Sequence, residues 1–211
     1  MFQKGLSQST YQNLAILAEI PDISSFYLAG GTAIALNLGH RLSFDLDFFT
    51  QKAFSGSGLA GKIQEYGNFS LEQVLEDTLL GKLNGERISF FLYQYPLLKP
   101  KESWKKIYIA SLPDLAAMKI EAIGGRGRKR DFIDLYFISK KISTKEALYL
   151  YDKKYKALAS NLPHLIKSLG YFEDAEEDEM PQMLEQISWE EVKDFFTKEV
   201  KKISQELLMT G

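Results

Sequence analysis

The 211-residue chain contains no cysteine, which excludes disulfides and thiolate metal sites. No apolar run approaches the ~20 residues of a bilayer-spanning helix. Met1-Phe2-Gln3-Lys4-Gly5 lacks the apolar core of a signal peptide. A cytoplasmic location with no membrane partner is therefore expected. Neither sign of charge is in excess, since 26 Lys and Arg against 28 Asp and Glu leave a net charge of −2. Up to Ala110 there are ten basic and ten acidic residues, and beyond it sixteen and eighteen. Nothing draws the whole molecule to nucleic acid, so any such contact must come from a local patch. There is no internal repeat, no low-complexity tract, no Walker-type phosphate loop and no serine-hydrolase elbow. What the chain does have is 45% hydrophobic and 26% charged residues, the make-up of a globular protein long enough for one large or two small domains.

Periodicity divides the chain near residue 110. Before it, helix and strand patterns alternate. Leu14, Ile16, Leu17 and Ile20 predict a helix within Leu6–Ile20 that stops before Pro21. Phe26–Ala29 reads as a short strand, Ser55-Gly56-Ser57-Gly58 as a flexible connection, and Leu59–Tyr66 as a helix. Phe69–Leu83 reads as one long strand and Asn84-Gly85 as a hairpin turn. Arg87–Tyr93 and Lys106–Ala110 are the remaining strands. A mixed sheet of four or five strands is expected. After Ser111 the pattern is helical. Ser111-Leu112-Pro113-Asp114 resembles a capped helix start, Gly124-Gly125 ends that helix, and further helices are expected over 131–138, 144–155, 158–169 and 189–208. Glu173–Glu179 is nearly all acidic and reads as a solvated loop. The expected class is α+β, with a mixed-sheet domain over residues 1–110 followed by a helical domain over residues 111–211.

The most informative stretch is Phe26–Phe49. Gly30-Gly31 breaks the first strand, and two glycines let backbone turn tightly and let a ligand approach without meeting a Cβ. A helix over Thr32–Leu38 follows, ending at Gly39, and the free N–H groups at such a start suit a phosphate. Asp45-Leu46-Asp47-Phe48-Phe49 comes next. On a strand Asp45 and Asp47 share one side, roughly 6–7 Å apart, and repel by about 2.5 kcal/mol at an effective dielectric near 20. A divalent cation reverses that sign, and paired carboxylates with substrate phosphates are a usual Mg²⁺ cradle.

Gly-Gly, thirteen residues, then Asp-x-Asp resembles the signature of the nucleotidyltransferase fold of the DNA polymerase β-like superfamily. Thr32, Ala33, His40-Arg41, Ser43 and Phe48-Phe49 extend the likeness to the AbiEii/AbiGii toxin group. Asp114, Lys119, Arg130-Asp131, Asp134, Leu135 and Tyr136 continue it into the helical part. The resemblance implies an NTP-dependent transferase acting as the toxin of a bacterial toxin–antitoxin or phage-defence pair. It further implies a cognate antitoxin and a hydroxyl acceptor, with a tRNA end the best single guess. Mg²⁺ would bind Asp45 and Asp47, and Gly30, Gly31, Thr32, Arg41 and Ser43 would seat the triphosphate. The fold usually carries a third acid on the strand after Asp-x-Asp, but Arg87–Tyr93 has none, and Glu86 and Asp77 are the nearest candidates. That gap keeps a non-catalytic NTP- or nucleic-acid-binding module open as an alternative, beside a small-molecule (antibiotic) nucleotidyltransferase.

Lys119 lies in an apolar helix. It could snorkel to water, or place its ammonium where charge builds on leaving pyrophosphate. Asp131 is expected in the site, and one of Asp131 and Asp134 could instead hold Lys119 or a loop arginine in place. Asp114 reads as a cap. Arg126, Arg128, Lys129 and Arg130 form the only dense basic cluster, either solvated or gripping a triphosphate or RNA backbone. His164 has no partner in sequence.

Overall fold

A computed structural model gives the protein's structure over residues 1–210, with side chains defined except at 158–159 and 207–210. Two compact units divide at Met1–Ser111 and Leu112–Gly211.

The first unit is built on a seven-stranded mixed sheet: β1 (Tyr27–Ala29), β2 (Leu46–Thr50), β3 (Phe69–Leu75), β4 (Thr78–Leu83), β5 (Glu86–Leu92), β6 (Glu102–Trp104) and β7 (Ile107–Ile109). The order is β3-β4-β5-β2-β1-β7-β6. β2 runs antiparallel to β1 and parallel to β5, and β1 runs parallel to β7. Helix α1 (Gln8–Leu17) starts where the Ser7 hydroxyl accepts from the Thr10 N–H, and buries Leu14 and Leu17. Helices α2 (Gly30–Leu38) and α3 (Gly56–Tyr66) complete the unit. The strands are legible in their burial. Along β2, Leu46 and Phe48 are fully buried while Asp47 and Phe49 are half-buried. Side chains alternate across a strand, so one face of the central sheet is packed and the other is partly open. On the packed face, Phe48 and Phe90 stack at 5.1 Å and Phe26 meets Phe90 edge-on at 5.2 Å.

Several boundaries differ from the sequence expectation. Ser55 is an N-cap whose hydroxyl accepts from the Gly58 N–H, so the Ser-Gly-Ser-Gly stretch is the first turn of α3 rather than a linker. Phe69–Leu83 is two strands folded over Glu76-Asp77, with Asp77 in the left-handed region at φ 59°. A further hairpin, β6–β7, turns through Lys105 and Lys106, both at positive φ. These two unmarked turns raise the count to seven strands. Asn84-Gly85 forms its expected hairpin turn with φ of 51° and 87°.

The second unit is helical: α4 (Leu112–Gly125), α5 (Lys129–Ser139), α6 (Thr144–Tyr155), α7 (Leu158–Leu169), α8 (Glu173–Glu176) and α9 (Trp189–Thr210). Phe132 on α5 is wholly buried among Phe172, Trp189 and Phe196 at 5.2–5.9 Å. The acidic run is solvated as expected, with Glu173, Asp174, Glu176, Glu177 and Glu179 exposed, but it is not all loop. Part of it is α8, and Asp178 receives the Arg128 guanidinium at 2.8 Å and the Lys129 N–H at 2.9 Å. Among the described residues no helix is long and apolar enough to cross a membrane.

Candidate active site

Helix α2 begins two residues earlier than its pattern suggests, at Gly30, which sits at φ 62°. Its N-cap residue is Ala29, which has no side chain able to cap it, so the first turn of the helix carries N–H donors that this residue does not satisfy. A Cβ on Gly30 would stand 2.7 Å from Asp47 Oδ2. One on Gly31 would collide with Arg41 Nη2 and lie 3.3 Å from Ser43 Oγ. Thr32, 1% exposed, lies 2.9 Å from Ser43 Oγ and donates its hydroxyl hydrogen to the Asp45 carbonyl. The helix tip, the loop and the start of β2 are thus tied by short polar contacts. Gly30, Gly31, Thr32, Arg41, Ser43, Asp45 and Asp47 form one group in the first unit.

Asp45 precedes β2 by one residue, and the burial alternation runs back to it: Asp45 and Asp47 are half-buried around a fully buried Leu46. Both carboxylates therefore lie on the open side of the sheet. Gly30 and Gly31 are half-buried too, so the tip is not sealed by apolar packing. Arg41 is 4% exposed and donates Nη1–H to the Leu42 carbonyl at 2.9 Å, which fixes a guanidinium beside Gly31. His40 is buried.

The partner of Asp47 on β5 is Ser89. Glu86 accepts from Ser9 Oγ at 2.6 Å, and Asp77 accepts from the Phe54 N–H at 3.1 Å. Both acids thus have structural partners. No group of three or more His, Cys, Asp or Glu among the described residues is arranged to hold a metal.

The remaining candidates belong to the second unit. Lys119 is 5% exposed, with Nζ 2.6 Å from Asp131 and 2.9 Å from Asp134. Asp131 also accepts from Arg126 Nε at 3.1 Å. The sequence reading sends the Lys119 ammonium to a phosphate; in the structure two carboxylates hold it, and Asp131 holds both Lys119 and a loop arginine. Burial works against the Asp131 carboxylate, but Lys119 and Arg126 outweigh it and keep its pKa below the usual carboxylate value. Arg126, Arg128 and Arg130 line an open cleft of about 420 Å³ with Asp178 and Glu179. Lys129 is not part of that surface: it is 6% exposed and donates to the carbonyls of Glu176 and Asp178. Asp114 lies in the first turn of α4. It forms a fully buried ion pair with Lys154 at 2.8 Å, a partner forty residues away that no local pattern could announce. His164 Nε2 lies 2.8 Å from the Gly124 carbonyl.

A mixed sheet with a glycine-led helix start facing a two-carboxylate strand, followed by a helical unit, defines a nucleotidyltransferase-type protein. Residues 14–101 and 98–207 match the nucleotidyl transferase AbiEii toxin family, described as a type IV TA system. The chain belongs to that family and is a nucleotidyltransferase of the toxin–antitoxin class. An uncharacterised protein of Aquifex aeolicus is 42% identical over 187 residues, covering 85% of this chain and 88% of its own. Among solved structures, MenT4, a nucleotidyltransferase toxin of Mycobacterium tuberculosis, is similar with a TM-score of 0.58 at 16% identity, over 92% of this chain and 86% of that one. JHP933 from Helicobacter pylori gives 0.54 at 18%, over 97% and 99%. At these identities the likeness to both is one of fold.

Proposed function

We propose that the protein transfers NMP from an NTP to a hydroxyl on RNA, a tRNA end being the first acceptor to test, and that it does so as the toxin partner of a cognate antitoxin. The observation that carries this reading is the contact of Gly30 with Asp47. Only a residue without Cβ leaves the Asp47 carboxylate open to the helix tip. The residues fit Mg²⁺: two half-buried carboxylates supply hard oxygen ligands, and the space beside Asp47 Oδ2 is one that a Cβ would fill. When bound, the metal neutralises the phosphate charge and stabilises in-line displacement at the α-phosphorus.

The chain's own groups do the rest. The N–H groups of Gly31 and Thr32, in the first turn of α2, bind non-bridging phosphate oxygens, as helix starts do. The Arg41 guanidinium, immobilised on the Leu42 carbonyl, adds a fixed positive charge beside them. Thr32 and Ser43 keep the loop against the backbone of Asp45, so that Asp45 and Asp47 are pre-set rather than ordered on binding. Lys119 is assigned a positioning role through Asp131, which orients Arg126 at the edge of the arginine cleft. Arg126, Arg128 and Arg130 would meet phosphates of the acceptor.

The test is transfer of label from each α-³²P NTP with Mg²⁺ to total tRNA. Wild type should label it, and Asp47→Asn should lower labelling by at least about a hundredfold, the scale for loss of a charge-stabilising group. Equal labelling by both proteins would overturn the assignment. NTP binding with no labelling of RNA, protein or small acceptor would favour a binding module, the reading that the incomplete carboxylate set supports.

A further inference from the structure

The open face of the sheet does not end at Asp47. Two residues along β2, Phe49 occupies the same face, and its register partners are Tyr27 on β1 and Phe91 on β5. Tyr27 stacks on Phe49 at 6.1 Å, Phe91 lies 5.5 Å from Phe49, and Tyr93 meets it edge-on at 5.1 Å. Tyr95 extends the row by a further 5.0 Å. Tyr27 is buried, Phe49, Phe91 and Tyr93 are half-buried, and Tyr95 is 46% exposed. The row becomes more exposed with distance from the carboxylates, unlike Phe26, Phe48 and Phe90 of the packed face, which are all buried.

Cations border the same end. Tyr93–Lys101 reads YQYPLLKPK, with two lysines and no acid. The Lys101 ammonium lies 4.3 Å from the ring centre of Tyr108 on the neighbouring β7. Lys52 follows β2 closely enough to repel it, and this repulsion adds to burial in lowering the Lys101 pKa. Neither ammonium has a carboxylate ion-pair partner among the described residues. From one end to the other the face therefore runs from acid through aromatic to base.

We propose that this row, Phe49, Phe91, Tyr93 and Tyr95, is a stacking platform for the bases of a single-stranded RNA acceptor, with Lys52 and Lys101 on its phosphates. Rings take any base by its π-face, and lysines follow the backbone without reading sequence. The row places such a strand so that its terminal nucleotide lies on the Asp47 side. This inference rests on the transfer reading above but addresses acceptor binding, which is measured separately.

The experiment is fluorescence anisotropy of a labelled twelve-nucleotide single-stranded RNA with the full chain and no NTP, across a salt series. Wild type should bind, and a duplex of the same sequence should bind at least tenfold more weakly. Tyr95→Ala, at an exposed position, and Tyr93→Ala with Tyr95→Ala should each weaken binding, the pair by at least about tenfold. Tyr93→Phe with Tyr95→Phe should retain it. Lys52→Ala with Lys101→Ala should flatten the log–log salt slope by about 1.4, two phosphate contacts on a single strand. Unchanged affinity in both alanine variants, equal binding of duplex, or no wild-type binding at 100 µM protein (roughly the non-specific ceiling) would overturn the platform. Failure of the transfer reading is distinct: it would appear as unlabelled RNA with these binding differences intact.

Discussion

At Gly30 two constraints coincide on one atom. The φ of 62° disfavours any L-residue, and the missing Cβ would sit 2.7 Å from Asp47 Oδ2. Left-handed backbone costs a non-glycine residue roughly 1–2 kcal/mol, and the carboxylate must move as well. Gly30→Ala should therefore lower stability by about 1–3 kcal/mol in urea unfolding, and NTP binding by calorimetry should fall below detection. Gly31 has no positive φ to defend, so Gly31→Ala isolates the steric effect: its Cβ displaces the buried Arg41 guanidinium, and binding should suffer together with a stability loss of about 1–3 kcal/mol. Asp131 supplies the residue-scale pH dependence. Its pKa is lowered in the fold from 3.8, by Lys119 and Arg126 acting against burial. A depressed carboxylate stabilises the fold fully above its unfolded pKa, and that stability is lost as pH falls through the folded value. Wild type should consequently lose melting temperature more steeply than Asp131→Asn as pH drops below about 4. Parallel curves would mean that the Lys119 and Arg126 contacts contribute nothing to folding.

Elements show what the sequence could carry and what it could not. The Gly-Gly helix start, the Asp-x-Asp strand and the Asn-Gly hairpin were legible because each is dictated by neighbours in sequence: a turn that needs glycine, a two-residue alternation, a pair of positive φ values. The turns at Asp77 and at Lys105-Lys106 were not, since ordinary residues adopt positive φ there and no glycine marks them. Gly81 likewise gives no local signal. It sits mid-strand because the Phe69 ring from β3 lies over it, a fact of cross-strand packing. The Asp114–Lys154 pair is the extreme case, joining α4 to α6 with both side chains fully buried. Removing one partner of a buried pair leaves the other charge stranded. Lys154→Met should destabilise the fold by roughly 3–5 kcal/mol, and adding Asp114→Leu should restore most of that loss in urea unfolding. A double variant no better than the single would show that Asp114 serves something other than Lys154.

On the scale of the molecule, a chain with net charge −2 has no field to gather nucleotides from afar, so on the reading proposed above affinity comes from the local geometry of the first unit. The chain's own contacts hold that geometry: tip, loop and strand are joined through Thr32, Ser43 and Asp45. A pre-set site binds the native state and not the unfolded chain, and the linkage is then a direct stability gain. At a hundredfold excess over Kd the gain is about 2.7 kcal/mol, which for a chain of this size raises the melting temperature by roughly 5–10 °C. Each NTP with Mg²⁺ can be tested in turn, and at least one should produce this shift in wild type. Lys154→Met should melt lower yet shift by a similar amount, because its defect lies in the second unit and the ligand groups lie in the first. Asp45→Asn with Asp47→Asn should melt near wild type and not shift, and EDTA should cancel the wild-type gain. A full shift in the Asp-substituted protein, or one indifferent to EDTA, would place the nucleotide away from the β2 carboxylates and remove the basis for the transfer chemistry.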